Sequence, residues 1–195
     1  MISHKYRFIC FRIPKSASSS IRKALIPFSD KKTSVRTDVK SIMGNLSKQG
    51  LTLDLWRKYF KFAFVRNPWD RAVSRYFYSI KKNDCFNQSR LIEEDYKKDF
   101  YQFIKVFEQK GREKIYQFDF LADSGGKIQA DFIGRVETLQ KDLDKVCEII
   151  NLPSIVVPHL NKTTHSNYKK YYTEESVEIV RKKFKKDIEY FGYEF

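Results

Sequence analysis

The chain has 195 residues, 42% of them hydrophobic and 16% aromatic, enough to enclose a core and consistent with a single domain. Its 38 basic and 24 acidic side chains give a formal charge of +14, which favours anionic partners: nucleic acid, anionic lipid, nucleotide cofactors or acidic polysaccharides. No stretch approaches about 18 consecutive apolar residues, so no membrane span is expected.

The first residues, "MISHKYRFICF", lack the long apolar run of a secretion signal. Three scattered cysteines, Cys10, Cys85 and Cys147, exclude a disulfide framework and match no metal spacing. They read as free thiols in a reducing compartment, so a cytoplasmic protein is expected. Cys10 and Cys147 lie in apolar runs and are expected in the core.

In chain order, a strand is expected over Arg7–Ile13 and a helix over Ser18–Leu25. Val39, Ile42, Met43 and Leu46 recur at helical spacing, and "FKFAFV", Phe60–Val65, alternates as a strand does. Asn67 is placed to cap a helix that has Pro68 at its first position. Ala72, Val73, Tyr76, Phe77 and Ile80 form the apolar stripe of that helix. Phe100, Phe103, Ile104 and Phe107 mark another. "KIQADFIGRVE" ends in a strand-like run, followed by a helix with Leu139, Leu143, Val146, Cys147 and Ile150 inward. Thr173, with Glu174 and Glu175 behind it, opens a last helix that Gly192 stops. Strands alternating with helices predict an α/β fold with a parallel sheet flanked by helices. There is no repeat, low-complexity tract or linker to mark a domain boundary.

Two strand-to-helix turns carry unusual chemistry. In such folds ligands sit at the carboxyl ends of the strands, where helix N-termini present unpaired N–H groups and positive partial charge. The first turn is "PKSASSS", Pro14–Ser20: Lys15 adds a full charge, and Ser16, Ser18, Ser19 and Ser20 add hydroxyl donors. It is not a Walker A loop, because G-x-x-x-x-G-K-[ST] is absent. The second is "FVRNPWDRAVSRY", in which Arg66 ends a strand and Ser74 follows eight residues later on the helix. One arginine fork and one hydroxyl suit a second phosphate. Each turn alone also reads as an ordinary capped helix with surface cations.

Taken together, "IPKSASSSIRKAL" resembles the 5′-phosphosulfate-binding loop of sulfotransferases that use 3′-phosphoadenosine 5′-phosphosulfate (PAPS). "FAFVRNPWDRAVSRY" resembles their 3′-phosphate-binding segment, including the spacing from Arg66 to Ser74. "FIGRVETLQKDLDKV", "VPHLNKT" and "DIEYFGYEF" resemble the rest of the carbohydrate branch of that family, Golgi-type and bacterial. The resemblance implies a P-loop-kinase-like α/β domain over the whole chain. It implies PAPS as donor, 3′,5′-adenosine bisphosphate (PAP) as product, a carbohydrate hydroxyl as acceptor, and no metal. By the same resemblance Lys15 would contact the 5′-phosphosulfate and its bridging oxygen. Ser16, Ala17, Ser18, Ser19 and Ser20 would hold the remaining oxygens, and Arg66 and Ser74 the 3′-phosphate. Arg135 is a further candidate for nucleotide contact. The charge leaves room for an acidic acceptor.

Two departures from the family pattern matter. The loop often carries glycine where this chain has Ser18, which narrows the backbone's options. The acceptor's proton also needs a base, commonly His or Glu in the family. The stretch "SDKKTSVRTDVK", residues 29–40, holds no histidine. His159 in "VPHLNK" or Lys32 is the candidate base, the lysine only if burial or neighbouring cations lower its pKa. A chain without a base would be a PAPS- or PAP-binding pseudoenzyme. The charge alone also admits a nucleic-acid-binding protein, but no reading motif or aromatic platform pattern supports one. The sequence leaves the oligomeric state open.

Overall fold

The structure, a computed structural model, describes residues 1–30, 38–82, 99–109, 116–158 and 167–195. The described chain divides into two compact units: Met1–Arg66 with Gln117–Asn161, and Asn67–Tyr116 with Lys162–Phe195.

The first unit is built on a four-stranded sheet of order β1-β2-β3-β4, formed by Ile2–Ser3, Phe8–Phe11, Phe60–Val65 and Phe132–Arg135. β1 is antiparallel to β2, and β2, β3 and β4 run parallel. This is the parallel α/β arrangement that the alternation of strands and helices predicts. Strand β2 is shorter than expected at both ends. Arg7 has φ of 53°, outside the β region, so the ladder opens at Phe8.

Side chains alternate across the pleat. Phe8 and Cys10 of β2 and Phe62 and Phe64 of β3 share one face. Helix α1 (Ser18–Leu25) packs Ile21, Ala24 and Leu25 onto that face, and a later helix, Leu139–Ile149, adds Leu143, Val146 and Cys147. On the opposite face Phe11 meets the indole of Trp56. Trp56 is carried by α3 (Leu53–Lys58), which Thr52 caps by accepting from the Leu55 N–H. Between α1 and α3, helix α2 (Val39–Met43) is capped by the Asp38 carboxylate. Neither α3 nor β1 is marked by periodicity, since each is too short to repeat a pattern.

The start of β3 is pinned by a buried lysine. Lys61 Nζ donates to the carbonyls of Tyr59 (2.7 Å) and Trp56 (3.3 Å) and pairs with Asp131 at 3.0 Å. The same carboxylate accepts the Lys61 backbone N–H at 2.7 Å, joining the approach to β4 to β3.

The second unit is helical and aromatic. Helix α4 (Pro68–Lys82) opens as expected: the Asn67 side chain accepts from the Trp69 N–H at 3.0 Å. The Asn67 amide also donates to the Glu194 carbonyl at 2.8 Å, so the cap holds the C-terminal segment as well. Trp69 is fully buried; its indole N–H donates to the Val177 carbonyl and its own carbonyl accepts from Tyr172. α5 (Phe100–Gln109) sets the Phe100 ring edge-to-face against Tyr76 and Tyr172.

Helix α6 (Gln117–Leu121) and the Leu139–Ile149 helix, α7, belong to the first unit. The expected last helix is two: α8 (Glu174–Lys183) and α9 (Lys185–Phe191), broken where Phe184 turns its backbone to φ −105° and ψ 22°. Both ends match expectation. Thr173 and Ser176 form a capping box, and Gly192 stops α9 with φ of 62°.

Candidate functional site

The parallel strands bring their carboxyl ends to one edge of the sheet. Phe11 pairs with Ala63, and Val65 with Arg135, so the segment after β2, Arg66 and Arg135 emerge side by side. Lys15, Arg66 and Arg135 therefore share the edge where α/β proteins bind ligands.

The turn after β2 is strained. Lys15 has φ of 68° and Ala17 φ of 53°, both left-handed and neither a glycine. Ala17 is the residue that caps α1; it offers no side-chain acceptor, and the first turn of α1 carries no acidic residue. None of the serines caps the helix. A left-handed residue followed by helical Ser18 turns consecutive N–H groups toward one concavity, the geometry of an anion nest. Each left-handed non-glycine residue costs about 1–2 kcal/mol. The conformational demand thus falls on Lys15 and Ala17, and Ser18 already lies in the helix, so its Cβ is no obstacle.

Ser16 lies between the two left-handed residues and is buried. Its N–H donates to the Ile13 carbonyl, closing the turn, and its hydroxyl donates to Oε1 of Gln117 at 2.9 Å. Lys15 and Ser18 are half-buried, Ser19 exposed and Ser20 buried.

Arg66 is half-buried just beyond β3. Its backbone N–H donates to Gln117 Oε1 at 2.9 Å, and its carbonyl accepts from Gln117 Nε2 at 2.8 Å. Its guanidinium Nη1 donates to the Lys15 carbonyl at 3.4 Å. The structure thereby joins the two turns that the sequence singled out. The joining residue, Gln117, has no signal in the sequence: it is the first residue of a short helix, and only the tertiary fold gives it partners.

Arg135 exposes its side chain while its N–H donates to the Asp142 carboxylate at 2.9 Å, and the same carboxylate accepts from Thr138 at 2.6 Å. Arg12, between β2 and the strained turn, has its pKa lowered by burial and by the neighbouring Arg22 charge. This end of the sheet is electropositive. Ser74 is buried in α4, in the second unit. Lys32 and His159 lie outside the described residues. Trp56 and Trp69 are buried in the core. Among the described residues no group of three or more His, Cys, Asp or Glu side chains is arranged to hold a metal, and no helix is long and apolar enough to cross a membrane.

Comparison with known proteins bears on this edge. An uncharacterized protein of Archaeoglobus fulgidus is 33% identical over 117 residues, covering 60% of this chain and 88% of its own length. Carbohydrate sulfotransferase 10 of Xenopus laevis is 22% identical over 236 residues, covering 98% of this chain; the chain spans 66% of that relative's length. Among solved structures, mouse sulfotransferase SULT7A1 complexed with PAP aligns over 96% of this chain and 86% of its own, with 12% identity and a TM-score of 0.48. The model of the sulfotransferase family matches residues 1–194, so the match takes in both turns and the sheet edge between them, and the chain belongs to the sulfotransferase family.

Proposed function

We propose that this protein transfers a sulfuryl group from PAPS to a hydroxyl of a carbohydrate. The observation that carries the donor assignment is the strained turn: Lys15 and Ala17, neither a glycine, are both held left-handed, at a helix N-terminus whose capping residue, Ala17, has no side-chain acceptor. Strain of this kind persists where the surrounding structure enforces it, and it concentrates at ligand-binding sites. A doubly anionic 5′-phosphosulfate suits the concavity and the Lys15 charge.

In this reading Lys15 and the N–H groups opening α1 hold the leaving phosphate oxygen and stabilise the charge that builds on it. Sulfuryl transfer, like phosphoryl transfer, is an in-line displacement governed by positioning and electrostatics. Ala17, Ser18, Ser19 and Ser20 surround the remaining oxygens. Ser16 shapes the turn from behind, since its hydroxyl is donated to Gln117. Arg66 holds the 3′-phosphate, and Arg135 extends the cationic edge toward the nucleotide. His159 or Lys32 takes the acceptor's proton. Support for a carbohydrate acceptor is the weak likeness to a carbohydrate sulfotransferase and the net positive charge, which suits an acidic glycan.

The test is direct. PAP should raise the melting temperature of the purified protein in a concentration-dependent way. Labelled sulfate should move from PAPS to one member of a glycan panel. Absence of stabilisation by PAP overturns the donor assignment. Binding without transfer to any glycan removes the carbohydrate acceptor.

A further inference from the structure

Gln117 is fully buried, at 0% exposure, and its amide is engaged on both sides. Nε2 donates to the Arg66 carbonyl while Oε1 accepts from the Arg66 N–H, at 2.8 and 2.9 Å. These two bonds read the backbone of Arg66 as a neighbouring strand would, just past Val65, where the β3–β4 ladder ends. The Arg66 backbone thereby sets the orientation of the amide, and Oε1 is left as an acceptor. Ser16 must then be the donor in its 2.9 Å bond to the same oxygen. One oxygen therefore ties the backbone of Arg66 to the middle of the strained turn. Arg66 Nη1 closes the circuit by donating to the Lys15 carbonyl at 3.4 Å.

A buried amide with three such bonds is costly to misplace, because each bond lost leaves a desolvated polar group. Gln117 also stands where the chain re-enters the unit that Arg66 leaves. We propose that Gln117 is a positioning residue: it fixes the Arg66 fork and the Lys15 turn in one register, so that the two anion sites match the two ends of a single nucleotide. This rests on the assignment of Lys15 and Arg66 to the two ends of PAPS.

The experiment compares dissociation constants for PAP and for adenosine 5′-monophosphate, which lacks the 3′-phosphate. In the unaltered protein the dissociation constant for adenosine 5′-monophosphate divided by that for PAP measures what the 3′-phosphate adds. In Gln117→Met, which keeps the volume and removes the hydrogen bonds, that ratio should shrink at least 10-fold. In Arg66→Ala the ratio is already small, and adding Gln117→Met should shrink it no further. A purely structural role for Gln117 would lower the melting temperature and weaken both ligands by the same factor, leaving the ratio unchanged; that result overturns the proposal. If Gln117→Met does not fold, Ser16→Ala removes one arm of the clamp, and the same loss of ratio is expected, with an unchanged ratio again overturning it. Failure of the unaltered protein to bind PAP removes this proposal together with the donor assignment. Binding with an unchanged ratio in the variants removes this proposal alone.

Discussion

The Arg66 guanidinium donates to the carbonyl oxygen of Lys15 at 3.4 Å, although the two residues are 51 positions apart in the chain. One end of that contact is a charged fork and the other is the backbone of a left-handed lysine. Removing either charge should therefore affect ligand binding and chemistry differently. Lys15→Ala should lower turnover by roughly 100-fold, the scale expected for losing one donor to a developing oxyanion. Lys15→Gly should be equally impaired yet no less stable than the parent, because glycine accepts the left-handed backbone. Arg66→Ala should weaken PAP by roughly 10- to 100-fold, as expected for a charge-assisted bond to phosphate. Single-turnover kinetics and calorimetric binding check these; full turnover in Lys15→Ala would remove its role.

Ala17→Gly should be slightly stabilising. Relief of the left-handed backbone is worth about 1–2 kcal/mol. The added freedom of glycine in the unfolded chain offsets about 0.4–1 kcal/mol of that. The net gain, about 0–1.6 kcal/mol, corresponds to a rise of at most roughly 6 °C in melting temperature for a chain of this size. Ala17→Val should fall well below the parent, since a β-branched side chain tolerates positive φ worst. Thermal denaturation of the two variants provides the check.

Gly134→Ala should destabilise the protein by about 1–3 kcal/mol, the usual cost of overpacking. A Cβ at Gly134 would meet ring atoms of Phe64 at 2.6 and 2.8 Å and the Asp142 Cβ at 3.1 Å. Phe64 is buried between β3 and the helices covering it, so the ring has little room to retreat. Denaturant unfolding of the variant should show a lower midpoint with an unchanged slope.

Burial pushes the Cys10 thiol up to about 11 from a usual value of 9.0. The folded state then keeps the proton over a range in which the unfolded state loses it. Between pH 9.0 and about 11 the unfolded chain binds fewer protons, so stability falls as pH rises through that window. Below it the contribution is constant. Cys10→Ala should show a shallower alkaline decline than the parent, and equal declines would assign the loss to other groups. At neutral pH the native Cys10 should resist alkylation, because the neutral thiol is a poor nucleophile and is buried.

Much of the fold was legible because the signals are local. The apolar stripe of Ser18–Leu25, the alternation of Phe60–Val65 and the Asn67–Pro68 cap each follow from neighbours a few residues away, and the structure places each element at those bounds. Lys15 and Arg66 were legible as anion-binding candidates for the same reason, since each stands in a recognisable strand-to-helix turn. The left-handed backbone at Lys15 and Ala17 was not legible. Local preference opposes it in non-glycine residues, and only the surrounding packing enforces it. Gln117 lies 51 residues from Arg66 and 101 from Ser16, and no periodicity connects them. Its place at the site exists only once the parallel strands have brought those turns to one edge. Sequence alone determined the longer elements and the sign of charge at that edge. Tertiary structure decided which backbone atoms hold the charged groups there, because burying an amide forces it to find partners wherever the fold supplies them.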